Sequence, residues 1–415
     1  MQKFVRFVEE NGHQQDKKHT EDEEAATEAT DLVESEREVI LPSGPVSFEV
    51  ELHADEPRAL HEHGNRRLNT YRELGEAVFG PVAGKWAVLP VQYSLMIGLC
   101  ITYSVTAGQS FKGVASDSCN GADCQEGIAG WIMLFGASQL LLSQVPDFHS
   151  LWWVSLLGAV MSVGYCSIAV VMSWIKAADP ESKVVFSRED ESRADYIFGV
   201  FNALGGIAFT FGGQAVLPEI QATLAKPPST VKSMMKGIAL SYAIVILAYY
   251  SVAISGYAAF GSGVSSDVLL NLTGSPAVVK AANMFVVVHV AAGYQVFAMP
   301  IFDMVETKIR HSLRNPPRPL TLRLLFRSLY VAGTTFVACL LPFFGELMGL
   351  ISSIGLMPVT FILPPALWLK AKRPQGVVLW VNVAILAFCS CIALLSLVGS
   401  VRNIVVSAQN YSLFD

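Results

Sequence analysis

Charge is what this 415-residue chain has least of: 15% of its residues are Asp, Glu, Lys or Arg, against about 25% in a typical soluble domain. With 52% hydrophobic residues, that shortage excludes both a disordered chain and an ordinary soluble enzyme. Cysteine is sparse too, with seven residues, an odd number, and no metal-ligand spacing among them, so neither a disulfide-built miniprotein nor a zinc module fits. Also missing are a GxSxG elbow, a P-loop, an HExxH pair and any His/Asp/Glu group at helical spacing. The familiar membrane-enzyme chemistries therefore have no residues to work with, and neither metal nor cofactor is expected. Met1 is not followed by the basic and apolar regions of a signal peptide, so the first later span must set translocation.

The charge that is present is unevenly placed. Residues 1–70 hold 17 acidic against 8 basic residues, and residues 71–415 hold 18 against 21. The head, 1–70, is a polar, acidic cytoplasmic segment with runs such as Glu21-Asp22-Glu23-Glu24 and is expected to be mostly disordered. A weakly alternating patch at Val39 to Leu52 is too short to build a core unaided.

The body, 71–415, is a series of apolar stretches long enough to cross a bilayer as helix, which takes roughly 20 residues. Nine are read, near 86–108, 128–146, 151–175, 196–218, 237–260, 281–304, 326–344, 347–369 and 376–400. The two around Phe344 are barely separated and could form one bent element. The fold class is thus an all-α polytopic membrane protein, with the lipid bilayer as its first partner and no nucleic acid. If the head is cytoplasmic, the inner segments carry 16 Lys/Arg, including Lys308, Arg310, Arg323 and Arg327, against 7 outside. By the positive-inside rule the N-terminus is then cytoplasmic and the C-terminus outside. The sequons at Asn271 and Asn410, and the pair Cys119 and Cys124, fall in segments read as outside. Cys100, Cys166, Cys339, Cys389 and Cys391 lie in apolar runs as packing residues.

The chemistry of the body lies in interrupted helices. In the fourth span Gly205-Gly206 and Gly212-Gly213 precede Pro218, and each such residue weakens a helix interior, by about 1 kcal/mol for Gly and about 3 for Pro. Two readings compete: close helix packing through small residues, or an unwound stretch that lines a substrate site. The eighth span repeats the pattern with Gly349, Ser352, Ser353, Gly355, Pro358, Pro364 and Pro365, and two such helices favour a transporter. The substrate-binding set expected from these spans is Asn202, Gly205, Gly206, Phe209, Thr210, Gly212, Gln214, Ser352 and Ser353, with Tyr294 from the sixth span. Backbone N–H groups at the break are expected to hold a carboxylate.

Ionisable groups inside the spans are few, so each is informative. His289 lies mid-span, where an imidazole can relay protons near neutral pH, or can simply be a neutral ring bonded to a neighbouring helix. Glu219 falls at the inner end of the fourth span, and Asp303 and Glu306 at the inner end of the sixth. They are read either as proton-coupling gates or as ion-pair partners of the basic inner loops. Tyr93, Tyr103, Tyr249 and Tyr250 are as easily packing or interfacial aromatics as ligand contacts.

Several stretches resemble the plant-type amino acid/auxin permease family. Phe201-Asn-Ala-Leu-Gly205 with Leu217-Pro-Glu-Ile-Gln-Ala-Thr-Leu224 is similar to the family's sixth span. Ser251-Val-Ala-Ile-Ser-Gly-Tyr-Ala-Ala-Phe-Gly261, Leu341-Pro-Phe-Phe-Gly345, Leu356-Met-Pro358 and Asn410-Tyr-Ser-Leu-Phe414 resemble its GABA-transporter branch, as does Leu142-Ser-Gln-Val-Pro-Asp-Phe-His-Ser150. His289-Val-Ala-Ala-Gly-Tyr-Gln295 and Ala298-Met-Pro-Ile-Phe-Asp-Met-Val-Glu306 look more like its lysine/histidine-transporter branch. Tyr71-Arg-Glu-Leu-Gly-Glu-Ala-Val-Phe-Gly80 resembles the entry to the family's third span.

The resemblance implies proton-coupled import of amino acids across the plasma membrane, with an amino acid and protons as the transported partners. It implies an inverted-repeat (LeuT-like) carrier fold of eleven spans, of which the nine here correspond to the third through eleventh. Two spans are then expected to be absent at the head, leaving one of the two unwound helices that frame the site in such a fold. Gly206 also stands where lysine/histidine-type relatives carry Asp. With Asn202, Thr210 and Gln214 in place of an acid, the fourth span favours GABA, proline or a neutral amino acid as substrate. The competing reading is a non-transporting sensor, or a regulatory partner of a full-length permease that covers the faces the two spans would occupy.

Overall fold

The helical body opens on a capped turn. Thr70 accepts a hydrogen bond from the Glu73 N–H at 3.1 Å, the Ser/Thr-x-x-Glu arrangement that satisfies free N-terminal donors. This starts α1 (Tyr71–Phe79), which buries Tyr71, Leu74 and Gly75 and ends at Gly80, whose φ of 93° a side chain would resist. Pro81 then begins α2 (Pro81–Ala115), where a missing N–H costs nothing. The computed structural model describes residues 62–63, 66–68, 70–115, 127–144, 152–180, 184–186, 192–212, 214–222, 230–312 and 319–409, all within the compact unit Arg58–Asp415. The expected disorder of the head over residues 1–61, its patch at Val39 to Leu52, the pair Cys119 and Cys124, and Asn410 lie outside the described residues.

After α2 come α3 (Ile128–Leu142), α4 (Trp152–Ala177), α5 (Arg193–Thr210), a 3₁₀ turn (Gln214–Val216) and α6 (Leu217–Ala222). Then follow α7 (Thr230–Phe260), two 3₁₀ turns (Gly261–Gly263 and Val268–Asn271) and α8 (Pro276–Ser312). The chain closes with α9 (Pro319–Leu340), α10 (Phe344–Ile351), two π-helical segments (Ser352–Leu356 and Pro358–Ile362), α11 (Leu363–Lys372) and α12 (Val377–Gln409). The described β-structure is one two-residue antiparallel ladder, β1 (Glu62–His63) with β2 (Arg66–Arg67).

Seven of the described helices are long and apolar enough to cross a membrane. The other two predicted spans fall on α3, which is apolar but has 15 residues, and on the interrupted pair α5 and α6. The predicted seventh and eighth spans are separate elements, because the non-helical stretch Leu341–Pro342–Phe343 divides α9 from α10. The molecule is an all-α polytopic membrane protein.

Burial sorts these helices into an inner and an outer set. The apolar windows of α2 and α8 are each 56% buried, whereas those of α7 and α12 are 0% and 11% buried. Leu247 on α7 and Trp380 and Phe388 on α12 are open to the surroundings; a helix apolar on all sides and left uncovered belongs in hydrocarbon. Around α2 two apolar clusters form. One joins Leu74, Val88, Leu95 and Leu99 to Leu347, Val359 and Leu363. The other joins Cys100 and Phe135 to Val286, Tyr294, Met299, Phe302 and Val331. Cys100, Cys166 and Cys339 are buried free thiols, while Cys389 is half-buried and Cys391 exposed.

The eighth predicted span keeps its helix in spite of its prolines. Leu363 N–H bonds Pro358 O and Met357 N–H bonds Ser352 O, both five residues back, so the coil widens where Pro358 cannot donate. In that pattern Val359 O would meet Pro364, which has no N–H. The Tyr71 hydroxyl takes the vacant place and donates to Val359 O at 3.0 Å.

Candidate functional site

In the fourth predicted span the helix stops inside the body. Ser192 caps α5 by accepting from Asp195 N–H at 3.1 Å, and the coil runs through both Gly205 and Gly206 without breaking. It tightens at Phe211 and Gly212, whose N–H groups bond Ala208 O and Phe209 O three residues back, and then ends. A carbonyl freed in an apolar interior costs about 1–3 kcal/mol if left unpaired. Here Tyr242 of α7 donates its hydroxyl to Phe211 O at 3.0 Å, and Gln92 of α2 donates its amide to Ala215 O at 2.7 Å. Both are side chains from neighbouring helices, as interrupted backbone at membrane depth requires. Gly212 lies against the first π segment so closely that a Cβ there would sit 2.0 Å from Leu356 Cδ1.

Beside the break is a cavity of about 340 Å³, within the size range of roughly 300–1,000 Å³ usual for small-molecule sites. The broken span contributes Phe209, Thr210, Gly212 and Ala215 to its wall. Opposite these stand Thr102, Tyr103 and Thr106 of α2, Tyr165 of α4, Tyr249 of α7 and His289 of α8. Phe344 and Met348 of α10 also line it, as do Asp267, which precedes the second 3₁₀ turn, and Val268 and Leu269 within that turn. Among the described residues the lining is largely apolar, with a few hydroxyls, one imidazole and one carboxyl, and holds no lysine or arginine.

His289 has a defined hydrogen bond. A carbonyl can only accept, so its Nδ1–H donates to Gly158 O of α4 at 3.0 Å, which leaves Nε2 as the free nitrogen of the neutral ring. Tyr165 meets the ring edge to face with centroids 5.7 Å apart. The neighbouring-helix bond of the packing reading is therefore present, and the same residue borders the cavity.

Other expected site residues are placed elsewhere. Asn202 packs between α10 and α12, donating to Gly345 O at 3.4 Å and accepting from Ser400 Oγ at 2.7 Å. At Gly205 a Cβ would lie 2.0 Å from Ser396 Oγ and 3.1 Å from the Gly349 backbone, so this glycine serves close helix contact, whereas Gly206 has nothing within 4 Å. Tyr294 is fully buried, hydrogen-bonded to Thr334 at 2.8 Å and edge-on to Phe135. Ser352 and Ser353 are buried, and Ser353 donates to Leu350 O at 2.8 Å. The Gln214 backbone opens the 3₁₀ turn.

The acids divide in the same way. Glu306 accepts from the buried Arg327 at 2.7 Å, and Arg327 also donates to Ser143 O at 2.7 Å and covers the Phe302 ring at 4.9 Å. Asp303 is exposed. Glu219 sits behind the break: its Oε1 accepts from Gln92 at 3.0 Å and from Tyr71 N–H at 3.4 Å. Its buried Oε2 has no hydrogen-bond partner among the described residues. Gln92 thus bridges a freed carbonyl and a carboxylate. Burial, and then the nearby Glu219, push the Tyr71 phenol up, so it stays protonated and keeps its bond to Val359 O.

Thr102, Thr106, Tyr165 and Asp267 border the cavity without having been singled out in the sequence. The polar stripe of Thr102, Tyr103 and Thr106 on one helix face was a usable signal. Asp267 gave none, because it lies between apolar runs. Among the described residues no group of three or more His, Cys, Asp and Glu is placed to hold a metal ion.

Residues 57–406 match the family model described as transmembrane amino acid transporter protein. Among curated proteins of Arabidopsis thaliana, the chain is 36% identical over 355 residues to Lysine histidine transporter-like 1, covering 84% of this chain and 77% of that one. It is 37% identical to Lysine histidine transporter-like 6 over 84% of this chain and 79% of that protein. To GABA transporter 1 it is 31% identical over 371 residues, 85% of this chain and 79% of the relative.

Proposed function

We propose, from the premise that this chain belongs to the transmembrane amino acid transporter family, that it is a secondary active carrier importing amino acids together with protons across the plasma membrane. Amino acid transport and a multi-pass membrane setting come with the family, and enzymatic chemistry does not. Proton coupling, substrate range and orientation are the proposed part. The N-terminus is assigned to the cytoplasm and the C-terminus to the outside, on the excess of Lys/Arg in the inner segments.

The observation that carries the reading is the cavity beside the interrupted α5–α6 pair, bordered by His289 across from Phe209, Thr210 and Gly212. An interrupted helix exposes backbone dipoles that a zwitterion can use, and discontinuous spans mark transporter sites. His289 is the proposed proton relay at the cavity, since its Nε2 is free to take a proton while Nδ1–H stays on Gly158 O. Glu219 is the proposed proton-linked acid behind the break, with a buried oxygen available for the proton. GABA, proline and neutral amino acids form the proposed substrate range. Of the relatives, one is named for GABA and others for lysine and histidine.

Uptake by the full chain in proteoliposomes or in a transport-deficient cell tests this, using labelled GABA, proline, lysine and neutral amino acids at several external pH values. The expected result is uptake that rises with an inward proton gradient and collapses when a protonophore removes it. Gradient-independent uptake, or none, would overturn proton-coupled carriage. A pH profile unchanged in both His289→Gln and Glu219→Gln would remove these two residues from the coupling step.

A further inference from the structure

Asp267 is the one carboxyl among the described residues of the cavity wall, and its surroundings point to a use. It caps the 3₁₀ turn Val268–Asn271, its Oδ1 accepting from Leu269 N–H at 3.0 Å. That is its hydrogen bond among the described residues, and it leaves the second oxygen uncommitted. The segment that carries it is fastened on both sides. Ser262 N–H donates to Val185 O at 2.9 Å, and the Asn271 side chain accepts from Ser265 N–H at 2.7 Å and donates to Gly263 O at 3.4 Å. Leu269 is buried in the cluster built around α8. The carboxyl is thus held at the cavity by the fold rather than carried on a free loop.

Among the described residues no lysine or arginine lines the cavity to neutralise it. Among the described residues, the groups that face this region are the Tyr165 phenol of α4, within electrostatic reach of both Asp267 and Tyr249 of α7, and on α8 the His289 ring, whose Nδ1–H is bonded to Gly158 O. Burial pushes the Asp267 carboxyl up, opposed by the Leu269 N–H. A carboxylate with no cation beside it is disfavoured in such a space, a penalty that a cation entering the cavity removes. An anionic group brought to the same place would add repulsion.

We infer that Asp267 is a specificity-determining residue, receiving an ammonium group that the substrate carries at a distance from its carboxylate. The inference rests on the transport reading above and revises its substrate range. Within the proposed range it favours GABA, whose amine stands apart from its carboxylate, over proline, and it adds lysine. It disfavours a substrate with an acidic side chain. The substrate carboxylate then lies away from Asp267, toward the backbone of the break at Phe209 to Gly212.

Lysine and norleucine have side chains of nearly the same shape and differ by the terminal ammonium, so they isolate this contact. Asp267→Asn keeps an acceptor for Leu269 N–H, because Asn caps as well as Asp, and removes the charge alone. Uptake kinetics of the full chain are to be compared for wild type and Asp267→Asn with lysine, GABA, proline and norleucine. The expected result is a KM for lysine and GABA raised about tenfold or more in the variant, with norleucine and proline within about twofold, as the loss of one charge-assisted contact predicts. A wild type that prefers norleucine to lysine, or a variant that shifts all four substrates alike or none, would overturn the assignment while leaving transport intact. No uptake of any amino acid by wild type would overturn the transport reading instead. Thermal stabilisation of the purified chain by lysine and not by norleucine, lost in Asp267→Asn, would then still uphold the contact, and equal stabilisation by both would end it.

Discussion

The two helices that the sequence marks as interrupted, α5–α6 and α10–α11, answer the same local problem in different ways. In α5–α6 the coil passes its first glycine pair intact and stops at Phe211–Gly212, where Tyr242 and Gln92 take the freed carbonyls. In α10–α11 three prolines are absorbed by widening into π-helix, and the carbonyl left over is met by Tyr71. Glycine and proline content shows that a helix is under strain. Whether it opens or widens depends on which neighbours are placed to receive its backbone.

The most disruptive way to test that contrast is Gln92→Leu, which strands Ala215 O and leaves Glu219 Oε1 with the longer bond from Tyr71 N–H at 3.4 Å. The expected loss is about 3 kcal/mol, seen as a lower thermal midpoint in detergent, together with loss of uptake because the break lines the cavity. A variant as stable as wild type would mean that the break does not depend on its neighbours. Next in size is the adjacent pair on α5. Gly205→Leu drives a side chain into Ser396 and the Gly349 backbone and is expected to cost about 2 kcal/mol by overpacking. Gly206→Leu, with open space around it, stays within about 0.5 kcal/mol. Equal effects at the two positions would mean that Gly205 is not held by close contact with α10 and α12.

Tyr71→Phe probes the widened helix in isolation. It leaves Val359 O unpaired and is expected to cost about 1 kcal/mol, with uptake KM unchanged because neither residue borders the cavity. A changed KM would couple the widened helix to the site and blur the comparison. The smallest effect is at the start of α5, where Asp195 meets Arg402 of α12. The Ser192 hydroxyl, and then Arg402, hold the Asp195 carboxyl below its usual range. The stability it contributes is therefore present above the ordinary carboxylate range and is lost as pH falls through the depressed value. Asp195→Asn should lower the thermal midpoint slightly near neutral pH and not at all in strong acid, which a pH series of thermal scans reads directly.

How much of the site was legible follows the same division. Phe209, Thr210 and Gly212 could be named because they stand in a helix whose own residues weaken it, and His289 because an imidazole is conspicuous in an apolar run. Asn202 and Tyr294 carry the same polar signal, yet the fold spends their hydrogen bonds on Ser400, Gly345 and Thr334. Gly205 shows that one glycine pair can mark close contact while the next marks a break. Asp267 was invisible for the opposite reason: it belongs to no span, and only the folding of the 3₁₀ turn against α8 brings it to the cavity.

The sequence by itself determined the membrane class, the placing of the apolar spans, the family resemblance and the strained segments, since each depends on residues close together along the chain. The tertiary structure alone decided which strained helix opens, which polar side chains are consumed in packing, and that Asp267 stands in the cavity wall. Those outcomes depend on pairs far apart in sequence, such as Gln92 with Ala215, Tyr71 with Val359 and Asp267 with Tyr165. A hydrogen bond or a charge in an apolar interior has its value set by the partner that reaches it, and no local pattern records which partner that will be.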